Sequence, residues 1–157
     1  MGKAKTKVNW SEGDIFAIPL QNGQFLLGQE LAKETSIGAG GVAIFDARLD
    51  KLCEPPALTL DAVIAILFTT RDQIERGNWP IVARRGVVVP KDRFPYESTR
   101  ASGFVGAKIV GSGNVVEFAN AFCALAPWDK WADPAYLDKM LVTPDKKPSD
   151  LIYSKQS

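Results

Sequence analysis

Asn22-Gly23 divides two runs rich in apolar residues within the stretch Gly13–Leu31, and this constrains the fold more than any other feature of the chain. The dipeptide readily takes the positive φ values of a tight type I′ turn, which predicts an antiparallel hairpin. At a period of two, Phe16, Ile18 and Leu20 share one face of the first strand, with Ile15, Ala17 and Pro19 on the other. Pro19 has no N–H for a ladder, so its nitrogen is expected at a sheet edge or a bulge. Gly28 gives the second strand a place to bend, or to let another backbone come close. The expectation is a strongly bent hairpin that starts a curled antiparallel sheet.

The rest of the chain extends this pattern. A third strand is predicted over Val42–Asp46, after the glycine-rich Gly38–Gly41, and Ala47–Pro56 reads as a loop. Leu60–Phe68 fits either a helix or a strand by periodicity; its β-branched Val63, Ile64 and Ile66 favour a central strand. Thr69 or Thr70 is then placed to cap a short helix over Arg71–Arg76, with Gly77 as its stop. Trp79–Ala83 returns to extended structure, which Gly86–Val89 can continue. Gly103–Val110 and Asn114–Val116 read as a second hairpin about Gly111-Ser112-Gly113. Glu117–Leu125 follows as a helix, with Phe118, Ala121, Phe122 and Leu125 on its inner face. Asp133 and Pro134 open a last helix whose stripe is Tyr136, Leu137, Met140 and Leu141. The chain therefore divides into a basic arm (1–9, with Lys3, Lys5 and Lys7), a single domain (10–142) and a polar, partly disordered tail (143–157).

Composition narrows the chemistry. The 157 residues contain no histidine. That excludes Ser-His-Asp and Cys-His nucleophile pairs, histidine acid–base catalysis and almost every zinc site. The formal charge of +1 gives no global pull toward polyanions. No apolar run approaches the roughly 20 residues that span a bilayer. No apolar segment directly follows the basic start either, so it does not read as a signal peptide. Cys53 and Cys123 are too few for a disulfide framework and read as reduced thiols of a cytoplasmic protein.

Local motifs for catalysis fail one by one. Gly38-Ala39-Gly40-Gly41 lacks the Gly-Lys-Ser/Thr ending of a phosphate loop and reads as a flexible connection between strands. Gly111-Ser112-Gly113 has valine at 116 and no βαβ unit around it, so it reads as a turn. Asp46 and Asp50 do not supply the six to eight oxygens of a calcium site and read as solvated charges. Cys53 has no basic neighbour nearer than Lys51 to activate it. Trp128 and Trp131 flank an Asp-Lys pair and read as pins that hold a loop to the core.

One segment invites a binding reading. Arg71–Arg100 carries seven basic residues against four acids, interleaved with Trp79, Phe94 and Tyr96. Arginine with aromatic residues suits a protein interface. It suits nucleic acid as well, with arginines on phosphate and rings on bases. Pro90–Ser102 within it has no periodicity, and a structureless connection of that length is often functional. The candidate contact residues are Arg84, Arg85, Arg93, Phe94, Tyr96, Glu97 and Arg100.

Gly13–Leu20, Gly23-Gln24-Phe25 and Gly28-Gln29 together resemble the opening of the immunity protein 26 family. An apolar strand with Phe68, a short helix, Gly77–Val82, the Glu117-Phe118 helix and Pro127-Trp128 follow in a similar order, over residues 10–142. The resemblance implies a bacterial protein that binds and neutralises a toxin domain of a polymorphic or contact-dependent toxin system. The matching motifs are structural and carry no binding residue across. The expected fold is α+β: a curled, mostly antiparallel, SH3-like sheet or partial barrel with two to three short helices. Its core is expected from Phe16, Ile18, Leu20, Phe25, Leu27, Ile44, Ile64, Ile66, Phe68, Phe118 and Phe122. The expected function is non-catalytic, with no cofactor or metal and a cognate toxin domain as partner. A nucleic-acid-binding module using segment 71–100 and the basic arm is the alternative.

Overall fold

The computed structural model describes residues 7–154; Lys3 and Lys5 of the basic arm lie outside them. Six strands form one sheet: β1 (Asp14–Pro19), β2 (Phe25–Glu34), β3 (Ala39–Leu49), β4 (Val63–Thr70), β5 (Ile81–Arg84) and β6 (Ile109–Val110). The order across the sheet is β5-β1-β2-β3-β4-β6, and all pairs are antiparallel except β4 with β6. Two α-helices accompany them, α1 (Asp72–Glu75) and α2 (Ser112–Phe122), with several 3-10 turns. The expected α+β, mostly antiparallel architecture holds, and the sheet is open, with β5 and β6 at its edges.

The opening hairpin forms, with a different turn. Gly23 has φ +88°, but Asn22 has no positive φ, so the turn is not type I′. Gly23 N–H instead donates to the Leu20 carbonyl and Leu20 N–H to the Gln24 carbonyl, closing a three-residue loop over 21–23. A type I turn followed by a left-handed glycine also matches strand twist. The Asn22 side chain holds the loop by accepting the Gln24 N–H at 3.0 Å. β5 pairs with β1 only from Asp14 to Phe16, which leaves Pro19 beyond its reach at the open side. The β2–β3 register shifts between Leu26 and Gly28. A Cβ on Gly28 would lie 2.4 Å from Phe16 Cζ, so what approaches there is a ring, and it stacks on Trp79 at 5.3 Å.

Both faces of the sheet are covered. One packs Phe16, Ile18, Leu26, Val42 and Ile44 against Val115, Phe118, Ala119 and Phe122 of α2 and against Trp128. The other packs Ile15, Ala17, Leu27, Leu31, Ala43 and Phe45 beneath the 58–60 and 88–94 connections. Each large apolar side chain so buried contributes roughly 1.5–3 kcal/mol relative to exposure. The expected core residues are buried, except that Phe25 and Ile66 are half-buried, and Leu27 faces the side opposite Phe16.

Several local expectations are corrected. Ala39–Gly41 is paired strand, not a flexible connection, and β3 runs on to Leu49, into the expected loop. Leu60–Ala62 is a 3-10 turn; the favoured strand starts at Val63 and runs through Thr70, so neither threonine caps α1. Gly86–Val89 is not strand, since the Val88 N–H donates to Gln29 Oε1 instead of a ladder. The second hairpin does not form. Ile109–Val110 pairs with β4, and residues 112–116 are helical. Val115, Phe118, Ala119 and Phe122 recur at helical spacing on the core side, and that burial outweighs the strand preference of Val115 and Val116. The last expected helix is a set of turns with a 3-10 turn at Asp138–Met140. Its stripe still packs: Leu137 is buried, and Trp128 Nε1 donates to Asp138 Oδ1 at 3.0 Å. Residues 143–154 run back along the domain, where Trp128 N–H meets the Ile152 carbonyl at 2.8 Å.

Candidate functional site

Pro90–Ser102 is not structureless. It forms 3-10 turns at Lys91–Arg93 and Glu97–Ser102 and lies over the β3–β4 part of the sheet. Pro95 is buried 3.5 Å from where a Cβ on Gly41 would stand. Tyr96 adopts a left-handed backbone (φ +53°), which a non-glycine residue rarely does. Its ring stacks on Phe68 at 5.8 Å, and Phe104 meets the same ring edge-on at 5.2 Å.

The candidate arginines divide into two groups. Arg100 donates to both oxygens of Glu97, at 2.8 and 3.0 Å, and to both oxygens of Glu34, one at 3.1 Å. The hydrogen bonds to Glu97 and then Glu34 raise the Arg100 pKa, and the bond from Arg100 lowers that of Glu97. Arg85 holds the 54–56 connection through the Pro55 and Pro56 carbonyls and Glu54. Arg84 donates through Nε to Asp14 Oδ1 at 2.7 Å. These three guanidiniums, on which a phosphate-binding reading leaned, are thus engaged by the protein's own oxygens.

Arg93, Phe94 and Tyr96 form the outward group. Arg93 is exposed, Tyr96 is 39% exposed and Phe94 is half-buried. They line a cavity of about 760 Å³ with Val63, Ile66 and Val142. The structure therefore brings together three of the seven candidate residues at one accessible surface. Arg84 and Arg85 lie at the other end of the sheet, at and just beyond β5.

Sequence reasoning missed the acids of β2. Glu30 is 2% exposed, and its Oε1 finds no hydrogen-bond partner among the described residues. Burial first, then the charge of Asp14, pushes its pKa up to about 8, against the pull of Lys33. Strand alternation was the available signal, because it puts Glu30 on the face of Leu26 and Gly28. Gln29, on the opposite face, ties the sheet to the 85–88 connection through the Gly86 carbonyl and the Val88 N–H, each at 3.0 Å.

The remaining motifs are structural. Asp46 and Asp50 are exposed, and Asp50 accepts from Gln24 Nε2. Cys53 is exposed, Cys123 is buried, and neither is in a disulfide. Trp128 is fully buried and Trp131 packs against the same core, so both pin their loop. Among the described residues, no group of three or more His, Cys, Asp or Glu is placed to hold a metal ion. No helix among the described residues is long and apolar enough to cross a membrane.

The family model described as Immunity protein 26 matches residues 11–103, more than half of the chain. The chain belongs to the immunity protein 26 family. The match takes in β1–β5 and the whole Pro90–Ser102 segment; β6 and α2 lie beyond it. No curated protein and no solved structure matches. Membership in the immunity protein 26 family implies an immunity role in a toxin system, with a toxin as the partner in general.

Proposed function

We propose that this chain is a non-catalytic inhibitor in the bacterial cytoplasm that binds a cognate toxin domain in a stoichiometric complex and so protects the producing cell. Membership in the immunity protein 26 family is the observation that carries this reading. A chain without histidine needs only shape and charge complementarity to occlude an active site or substrate groove. The contact surface centres on Arg93, Phe94 and Tyr96. Arginine and large aromatic residues dominate the energetics of such interfaces, and about 1,600 Å² of total buried area is the standard size.

The test is to read the neighbouring reading frames for a toxin domain and to co-express that domain with this chain. The expected results are restored growth of cells making the toxin and a one-to-one complex on size exclusion. Toxicity that persists with soluble immunity protein present, and no complex, would overturn the reading.

A further inference from the structure

The outer edge of β4 is only partly covered. β6 pairs with it at Phe68 and Thr69 alone, and the Ile64 carbonyl accepts the Val142 N–H at 2.8 Å. Between these two points no strand lies beside Ala65–Leu67 among the described residues. An unpaired strand edge offers backbone donors and acceptors to any extended chain laid along it.

Side chains turn this gap into a groove. The cavity of about 760 Å³ beside Arg93 and a second of about 590 Å³ beside Ile109 and Met140 share two walls, Ile66 and Tyr96. The groove thus runs along the uncovered edge, with a pocket of mixed lining on each side. Their apolar parts include Val63, Phe94 and Val142 on one side and Leu67, Ile109 and Met140 on the other. Tyr96 stands there in a left-handed conformation that a non-glycine residue rarely adopts. The rim is basic. Arg93 and Lys108 make no ion pair among the described residues, and Lys146 donates to the Asp61 backbone carbonyl.

We infer that this edge takes an extended segment of the partner protein, paired with Ala65–Leu67, with apolar side chains in the two pockets and acidic ones against Arg93 and Lys108. The inference rests on the toxin-binding reading and names the part of the toxin that binds. Backbone pairing gives affinity, the pockets select alternate side chains, and the rim charges steer the encounter. The other free edge, β5, is flanked by Arg84, whose guanidinium is held by Asp14.

The experiment uses the whole chain and the toxin domain that co-purifies with it. Hydrogen–deuterium exchange of the complex is expected to show new protection at residues 65–67 and 93–96. Arg93→Glu with Lys108→Glu, both on exposed side chains, is expected to weaken binding tenfold or more at low salt, less as salt rises. Charge reversal at exposed Arg48 is expected to leave affinity unchanged. Unchanged exchange at 65–67, or wild-type affinity of the double reversal, would overturn this inference while leaving the immunity function intact. A wild-type chain that forms no complex at all would overturn both.

Discussion

The Arg100 guanidinium grips both carboxylate oxygens of Glu34, a residue 66 positions earlier, and both oxygens of Glu97 within its own turn. This fork fastens the Pro90–Ser102 segment to the end of β2, and so fixes where Tyr96 and Arg93 stand. Glu34 is buried, so losing its partner leaves a desolvated charge. The Arg100 side chain is 39% exposed, and water recovers part of that cost. Arg100→Ala is expected to lower stability by about 1–2 kcal/mol and to speed amide exchange over 97–103. Arg100→Lys keeps the charge without the fork, so it is expected to recover less than half the loss. Denaturant melts and exchange rates check both.

Gly28 and Phe16 form a second such pair. A methyl group at 28 would sit 2.4 Å from Phe16 Cζ, 2.7 Å from Cε2 and 3.1 Å from the Ala43 carbonyl. The ring cannot swing aside, being fully buried and stacked on Trp79. Gly28→Ala is expected to cost about 1–3 kcal/mol by overpacking. Phe16→Leu in the Gly28→Ala background is expected to cost less than Phe16→Leu alone, which a double-mutant cycle measures.

These two pairs mark how far the sequence could be read. Gly28 was legible as a close approach because strand interiors rarely carry glycine, but nothing local named Phe16 as the approaching group. The hairpin was legible from Asn22-Gly23, while the turn type depended on strand twist and so on the assembled sheet. Val115 and Val116 misled because their strand preference is weaker than burial of the α2 face in one core with Phe16, Ile18 and Trp128, which only the tertiary fold supplies. Among the candidate contact residues, composition could not separate Arg93 from Arg85 and Arg100. Their difference lies in carboxylates and carbonyls far away in the chain.

Glu30 makes stability depend on pH. Its carboxyl is raised from an ordinary 4.5 to about 8, by burial first and Asp14 second. Between those values the folded state holds a proton that the unfolded state has released. Stability should therefore fall as pH rises from about 4.5 to about 8, by up to about 1.4 kcal/mol per pH unit, and level off above. Glu30→Gln cannot ionise and is expected to flatten this slope. Urea midpoints across pH 5–9 for both proteins check it. Equal slopes would show that Glu30 ionises freely in the fold.

The outward trio Arg93, Phe94 and Tyr96 should matter for binding more than for folding. Arg93 is exposed and without an ion pair among the described residues, so its removal should leave the melt unchanged. Phe94 packs at the margin of the core, and Tyr96 gives up its stack on Phe68, while alanine bears the same left-handed backbone that tyrosine does. Together the three alanines should lower stability by about 1–2 kcal/mol, which leaves the domain folded at 25 °C. Interfaces concentrate their energy in such anchors, so the toxin complex should weaken by at least about 2 kcal/mol, roughly thirtyfold. Calorimetry of the folded triple variant against the toxin domain decides the matter. Unaltered affinity would move the interface to another face, and loss of the fold would show that the Pro90–Ser102 segment is a structural cap.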